Sequence, residues 1–248
     1  MTKLEALAKS RPSFTTMQIS RFLPPTTPTQ RNKLYKEITK EQTNPVPYYS
    51  SIIWTLRNAV RDYPNDCEAR VEYCLERLLE LESRYEAKKE KNVKKQALTI
   101  IENNILALKK FISCKGPELT IGKMGVERKY NTYSHDGKFF DVTFTPDVLF
   151  WTPKEKRGLL VFRINKEPIQ KAQSDFILAM AVKYLEHFFP DDEIDREQCG
   201  LFDVYADEFI HAGNGAYVNT WKSFDRTSKE IGLLLLAEDD EAQEVKVA

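Results

Sequence analysis

The apolar residues of this chain change period at Cys114-Lys115-Gly116-Pro117. Ahead of that break they recur at spacings of three and four; behind it they alternate. Val71, Cys74, Leu78, Leu81 and Tyr85 predict a helix from Asp66 to about Glu90. Ala97, Ile101, Ile105, Leu108 and Ile112 predict another from about Val93 to Phe111, and the short connection makes the two an antiparallel hairpin. An earlier helix is expected from a Ser50 or Ser51 cap to Tyr63, with Ile53, Trp54, Leu56 and Val60 available for burial. It lies between the breaks Asn44-Pro45-Val46-Pro47 and Pro64-Asn65-Asp66.

Beyond the change of period, residues 125–133 read as a strand and Ser134-His135-Asp136-Gly137 as a hairpin turn. The next strand, Lys138 to Phe150, places Phe140, Val142, Phe144, Val148 and Phe150 on one face and Asp141, Thr143, Thr145 and Asp147 on the other. Pro146 predicts a bulge or an edge within it. Residues 158–165 are apolar on both faces until Arg163, the pattern of a central strand. A helix over 169–189, a strand from Leu201 to Tyr205, a short strand at Tyr217 and Val218 after the Gly213-Asn214-Gly215 turn, and a last helix over 221–236 follow. An acidic tail from Glu238 is expected to fray. The fold class is therefore α+β: an extended Pro-containing arm over 1–48, a helical region over 49–92, and an α/β core with an acidic tail over 93–248.

Pro12, Pro24, Pro25 and Pro28 argue against helix in the arm. Phe14, Met17, Ile19, Phe22 and Leu23 give it more apolar surface than a linker needs, so it packs on its own domain or docks on a partner. Charge is polarised. Lys+Arg and Asp+Glu are 37 each, yet residues 1–115 carry a net +8 and residues 191–248 a net −10. The basic half could meet phosphates through Arg57, Arg61, Lys88, Lys89, Lys94 and Lys95; intramolecular neutralisation is the plainer account. No run approaches 18 uncharged apolar residues, and Met1 to Ser20 lacks an apolar signal core, so a cytoplasmic protein without membrane contact is expected. The four cysteines form no C-x-x-C and there are three histidines, so no metal site is expected; Cys67 and Cys74 read as buried thiols. His135, His187 and His211 are not spaced as ligands; Asp203, Asp207 and Glu208 lie near His211, and a solvated edge explains them equally well.

The order from residue 93, αβββαβ, resembles the core of the PD-(D/E)xK nuclease superfamily, which includes many restriction-type nucleases. The resemblance rests on that order, on Pro146-Asp147 in the second strand, and on Glu102 in the first helix. It implies two carboxylates holding Mg²⁺ beside a phosphate, with a lysine orienting water. The third strand departs from the pattern: Arg163 and Asn165 of Arg163-Ile164-Asn165-Lys166 stand where Glu-x-Lys is expected, and a guanidinium opposes a metal. The expectation is a dead site in which Arg163 replaces the metal and pairs with Asp147, with Asn165 beside it. The alternative is a rearranged live site of Glu102, Asp141, Asp147 and Lys166 using Mg²⁺; otherwise no cofactor is expected. The chain also resembles small accessory proteins of bacterial anti-phage operons built around an SMC-like ATPase and a nuclease effector (Lamassu-like). This implies a non-catalytic accessory subunit with those kinds of protein partner. An active metal-dependent nuclease and a DNA-binding module are the alternatives.

Overall fold

The computed structural model describes residues 12–24, 27–43, 50–91, 94–137, 139–213 and 217–247. The chain is a mixed α+β protein. Its elements are β1 (Ser13–Thr15), α1 (Thr16–Ser20), α2 (Pro28–Thr43), α3 (Ser50–Asp62), α4 (Cys67–Glu90) and α5 (Lys95–Cys114). There follow β2 (Tyr133–Asp136), β3 (Asp141–Phe144), β4 (Val148–Trp151), β5 (Arg157–Arg163), α6 (Lys171–Phe188), β6 (Ile194–Asp203), β7 (Glu208–His211) and α7 (Val218–Val247).

Helical spacing and capping carry the first half. Asp66 caps α4 by accepting from the Ala69 N–H at 2.9 Å, and α5 ends where Lys115 and Gly116 turn left-handed, at φ of 60° and 74°. The second half is two sheets. One has the order β1-β3-β2; the other has the order β4-β5-β6-β7, with β5 and β6 parallel and both outer pairs antiparallel. α6 is the crossover that a parallel pair requires.

Every residue of β5 is buried, because the four-stranded sheet is covered on both faces. Leu159 and Val161 join one core with Phe140, Val142, Phe144, Phe176, Met180 and Phe224. Leu160 and Phe162 join a second with Ile52, Leu56, Cys74, Leu108 and Phe111. There the rings of Phe111, Phe162 and Phe202 meet edge to face at 6.1–6.4 Å. Gly158 of β5 lies under the Phe150 ring of β4, where an added Cβ would meet ring carbons at 2.4 Å.

Several expectations are corrected. The predicted strand from Lys138 to Phe150 is two strands in two sheets, because Pro146 cannot donate to a ladder. The chain crosses layers there: Phe140, Val142 and Phe144 face one core, Val148 and Phe150 the other. The predicted turn at Ser134-His135-Asp136 is strand β2, and of the predicted strand over 125–133 there remain the bridge from Val126 to Phe150 and Tyr133, which opens β2. Val218 opens α7 instead of a strand, and α7 runs on to Val247. The break at 44–47 and residues 214–215 of the turn lie outside the described residues.

The arm is corrected most. β1 pairs in parallel with β3, Phe14 opposite Val142; Thr15 caps α1 in a capping box with Gln18; and α2 starts at Pro28, where proline suits a first helical turn. Phe14, Ile19, Phe22 and Leu23 are buried in the first core, and Met17 packs against it. Of the two expectations for these five residues, packing on the chain's own fold is the one observed.

Candidate functional site

Asp147 occupies the loop between β3 and β4, where the chain passes from one sheet to the other. Its N–H donates to the Leu160 carbonyl at 2.9 Å, and its own carbonyl accepts from the Tyr130 hydroxyl at 2.7 Å. The carboxylate is buried. Oδ2 accepts the Phe162 N–H at 2.6 Å, and Oδ1 accepts Nε of Arg57 at 2.7 Å, with Arg57 Nη2 also against it. Burial pushes the carboxyl above the ordinary carboxylate value, while the Arg57 charge and the Phe162 N–H pull it back. Arg57 reaches the site from α3, with about a third of its side chain exposed.

The expected pair of Arg163 with Asp147 does not form. Arg163 donates to Oδ2 of Asp203 and, through Nη2, to the Glu167 carbonyl at 2.7 Å. The register explains this: β5 and β6 run parallel with Arg163 opposite Asp203, whereas the Asp147 carboxylate meets the backbone one residue earlier, at Phe162. Asp203 is not a solvated edge. It is 1% exposed, and Oδ1 also accepts from the Tyr205 and Ala206 N–H groups at 3.1 and 3.2 Å. Asn165 accepts the Glu167 N–H at 3.0 Å in the turn after β5, and with Arg163 borders a cavity of about 230 Å³.

The alternative site disperses. Glu102 faces the Tyr85 hydroxyl across the α4–α5 hairpin. Lys166 reaches α5 one residue away and bonds Asn103 at 3.2 Å. Asp141 lies in the other sheet, opposite Ser13 and Asp136. Among the described residues no group of three His, Cys, Asp or Glu side chains stands close enough to hold a metal ion.

The six basic candidates separate into three places. Arg57 is committed to Asp147, and Arg61 pairs with Asp62 at 2.8 Å at the end of α3. Lys88 and Lys89 close α4, and the exposed Lys94 and Lys95 open α5. The 24 residues of α4 make a helix roughly 36 Å long at 1.5 Å per residue, so Arg61 and the lysines lie at opposite ends of it. The lysines are gathered at the hairpin tip with exposed Lys91; α5 there has no acidic residue in its first turn and no side-chain cap. The tip also holds Glu86, Glu90 and the negative end of the α4 dipole, so its positive charge is that of five lysines against two glutamates.

Sequence reasoning missed Arg57 as the partner of Asp147 and Asp203 as the partner of Arg163. The signal for Asp203 is its place at the end of an apolar strand, where a carboxylate needs a cation; for Arg57 the sequence carries none, because Arg61 repeats the charge one turn on. Among the described residues no helix is long and apolar enough to cross a membrane. Set against known proteins, the chain matches no family model, no curated protein and no solved structure.

Proposed function

We propose that the chain is a non-catalytic accessory subunit of a multiprotein bacterial defence or DNA-processing assembly, built on a degenerate nuclease-like core. One observation carries the non-catalytic reading: both oxygens of Asp147 are taken, one by Arg57 and one by the Phe162 N–H. A guanidinium at Oδ1 fills the position a divalent cation would need and repels it. The β4–β5 hairpin, the α6 crossover and the parallel β6 support the nuclease-like reading as topology. Exposed apolar side chains are available for subunit contacts in the helical half, among them Trp54 of α3 and Leu79 of α4 at 56% and 66% exposure.

The test has two arms. The purified chain with Mg²⁺ or Mn²⁺ should leave single- and double-stranded DNA intact; cleavage that disappears in Asp147→Ala would overturn the reading. A tagged chain recovered from its native host should carry a stoichiometric partner in an intact mass measurement, and recovery of the chain alone would remove the subunit role.

The hairpin tip favours a second reading, direct binding of nucleic acid through Lys88, Lys89, Lys94 and Lys95. It requires an affinity that falls steeply with salt, with a slope reduced by roughly one for each lysine that is lost.

A further inference from the structure

The four cysteines are free thiols, and the fold treats them unequally. Cys74 and Cys199 are fully buried, and burial pushes each thiol up to about 12. Cys114 bonds the Phe111 carbonyl at 3.2 Å in the last turn of α5, and burial raises it as well. Cys67 is placed differently. The sequence reads it as buried with Cys74, but it is half-buried, and it is the first residue of α4, next to the Asp66 cap.

Arg70, one turn further along, supplies an independent sign. Its side chain is 1% exposed, yet among the described residues no carboxylate pairs with it. Nη1 donates to the Pro117 carbonyl at 3.2 Å, Nε is buried without an acceptor, and Nη2 lies 2.9 Å from Sγ of Cys67. A buried guanidinium lacking an anion is unfavourable. Negative charge on Sγ would meet that guanidinium at the N-terminal end of a 24-residue helix, an end that also carries the Asp66 cap and Glu68.

We propose that Cys67 is a modification site: a nucleophilic thiol, activated by Arg70, that undergoes exchange with small-molecule disulfides. The thiol gives its proton to solvent, and Sγ attacks one sulfur of the disulfide. A new S–S bond forms as the old one breaks, and the displaced half leaves as a thiolate that takes up a proton. Cys67 is oxidised and the departing half is reduced, so no further oxidant is needed. The site is placed to have an effect. Asn65 donates to the Ile121 carbonyl at 2.8 Å and accepts its N–H at 3.1 Å, and Arg70 holds the Pro117 carbonyl. The bonds that fasten residues 117–121 to the α3–α4 corner therefore flank Cys67, and a mixed disulfide there acts on them.

The test treats the full chain with one equivalent of a coloured aromatic disulfide, follows thiolate release and maps the modified peptide. Native Cys67 should take the first equivalent and react roughly tenfold faster than the same residue in the urea-unfolded chain, with reversal by dithiothreitol. Cys67→Ser should abolish the fast phase, and Arg70→Met should slow it roughly tenfold. Should Arg70→Met fail to fold, the native-to-unfolded ratio in the unaltered chain decides by itself. First reaction at Cys114, or a Cys67 slower in the native chain than in urea, would overturn the proposal.

Discussion

Asp147 and Arg57 are 90 residues apart in the chain and form one charge pair. With Arg57 removed, the Asp147 carboxylate keeps the Phe162 N–H but has no cation. Arg57→Ala should cost about 2 kcal/mol at pH 7, less than a fully buried pair would, because the arginine is partly solvated. The cost should depend on pH in a fixed direction. Burial already raises this carboxyl above its unfolded value of 3.8, so the fold favours the protonated form. The penalty of Arg57→Ala is thus smallest in acid and grows as pH rises through the raised folded value. Urea titrations of both proteins between pH 3 and 7 measure it; a penalty independent of pH would show that Asp147 needs no counter-charge. In the sequence, Pro146-Asp147 is legible as a carboxylate at a strand break. Its partner is not, because Arg57 reads equally well as a solvated helix charge until α3 is docked on the sheet. The same holds for Arg163 and Asp203, which become a pair once the parallel register of β5 and β6 is fixed.

The elements at the two ends of the chain behave as structure, not as appendages. β1, α1 and the turn after α1 fill one core with Phe14, Ile19, Phe22 and Leu23, and Thr16 Oγ1 donates to the Thr143 carbonyl at 2.8 Å. Removing residues up to Leu23 should expose that core, giving dye binding and a lost cooperative transition; a truncated chain with unchanged denaturant midpoint would return the segment to the status of an arm. The sequence shows the apolar content of this segment but not its address, because a three-residue strand has no period to read. α7 docks through an aromatic cluster in which the His135 ring of β2 lies 5.0 Å from Trp221 and 5.6 Å from Phe224. Burial lowers the His135 value below 6.5; Asp136 and Asp225 oppose the shift and Lys183 adds to it. A depressed histidine contributes stability that is present above pH 6.5 and lost as pH falls through the folded value. The melting temperature of the native chain should therefore fall further between pH 7 and 5 than that of His135→Phe, and equal falls would exclude His135 as the cause. β2 itself was hidden by its composition, since Ser-His-Asp-Gly is turn chemistry and the sheet overrides it.

At the scale of the whole molecule, the four-stranded sheet lies between the two cores, and β5, like β4 and β6, contributes side chains to both. Leu159 belongs to one and Phe162 to the other, three residues away on the same strand. Leu159→Ala and Phe162→Ala should each cost about 3–4 kcal/mol and should move one common unfolding transition seen by fluorescence and circular dichroism. Two transitions, each moved by one variant, would mean that the cores unfold independently. The helical half and the central strand were legible because long periodic segments state their own burial. The division of the β residues into two sheets was not, because local alternation is the same whichever sheet receives it. The pairing of the first strand with the third also sets an order in time. Thr16 finds its acceptor 127 residues later, so at a synthesis rate of 5–20 residues per second the start of the chain waits roughly 6–25 s for the strand that completes it. During that interval Phe14, Ile19 and Phe22 have no core to enter, so they stand exposed on the nascent chain until β3 has been made.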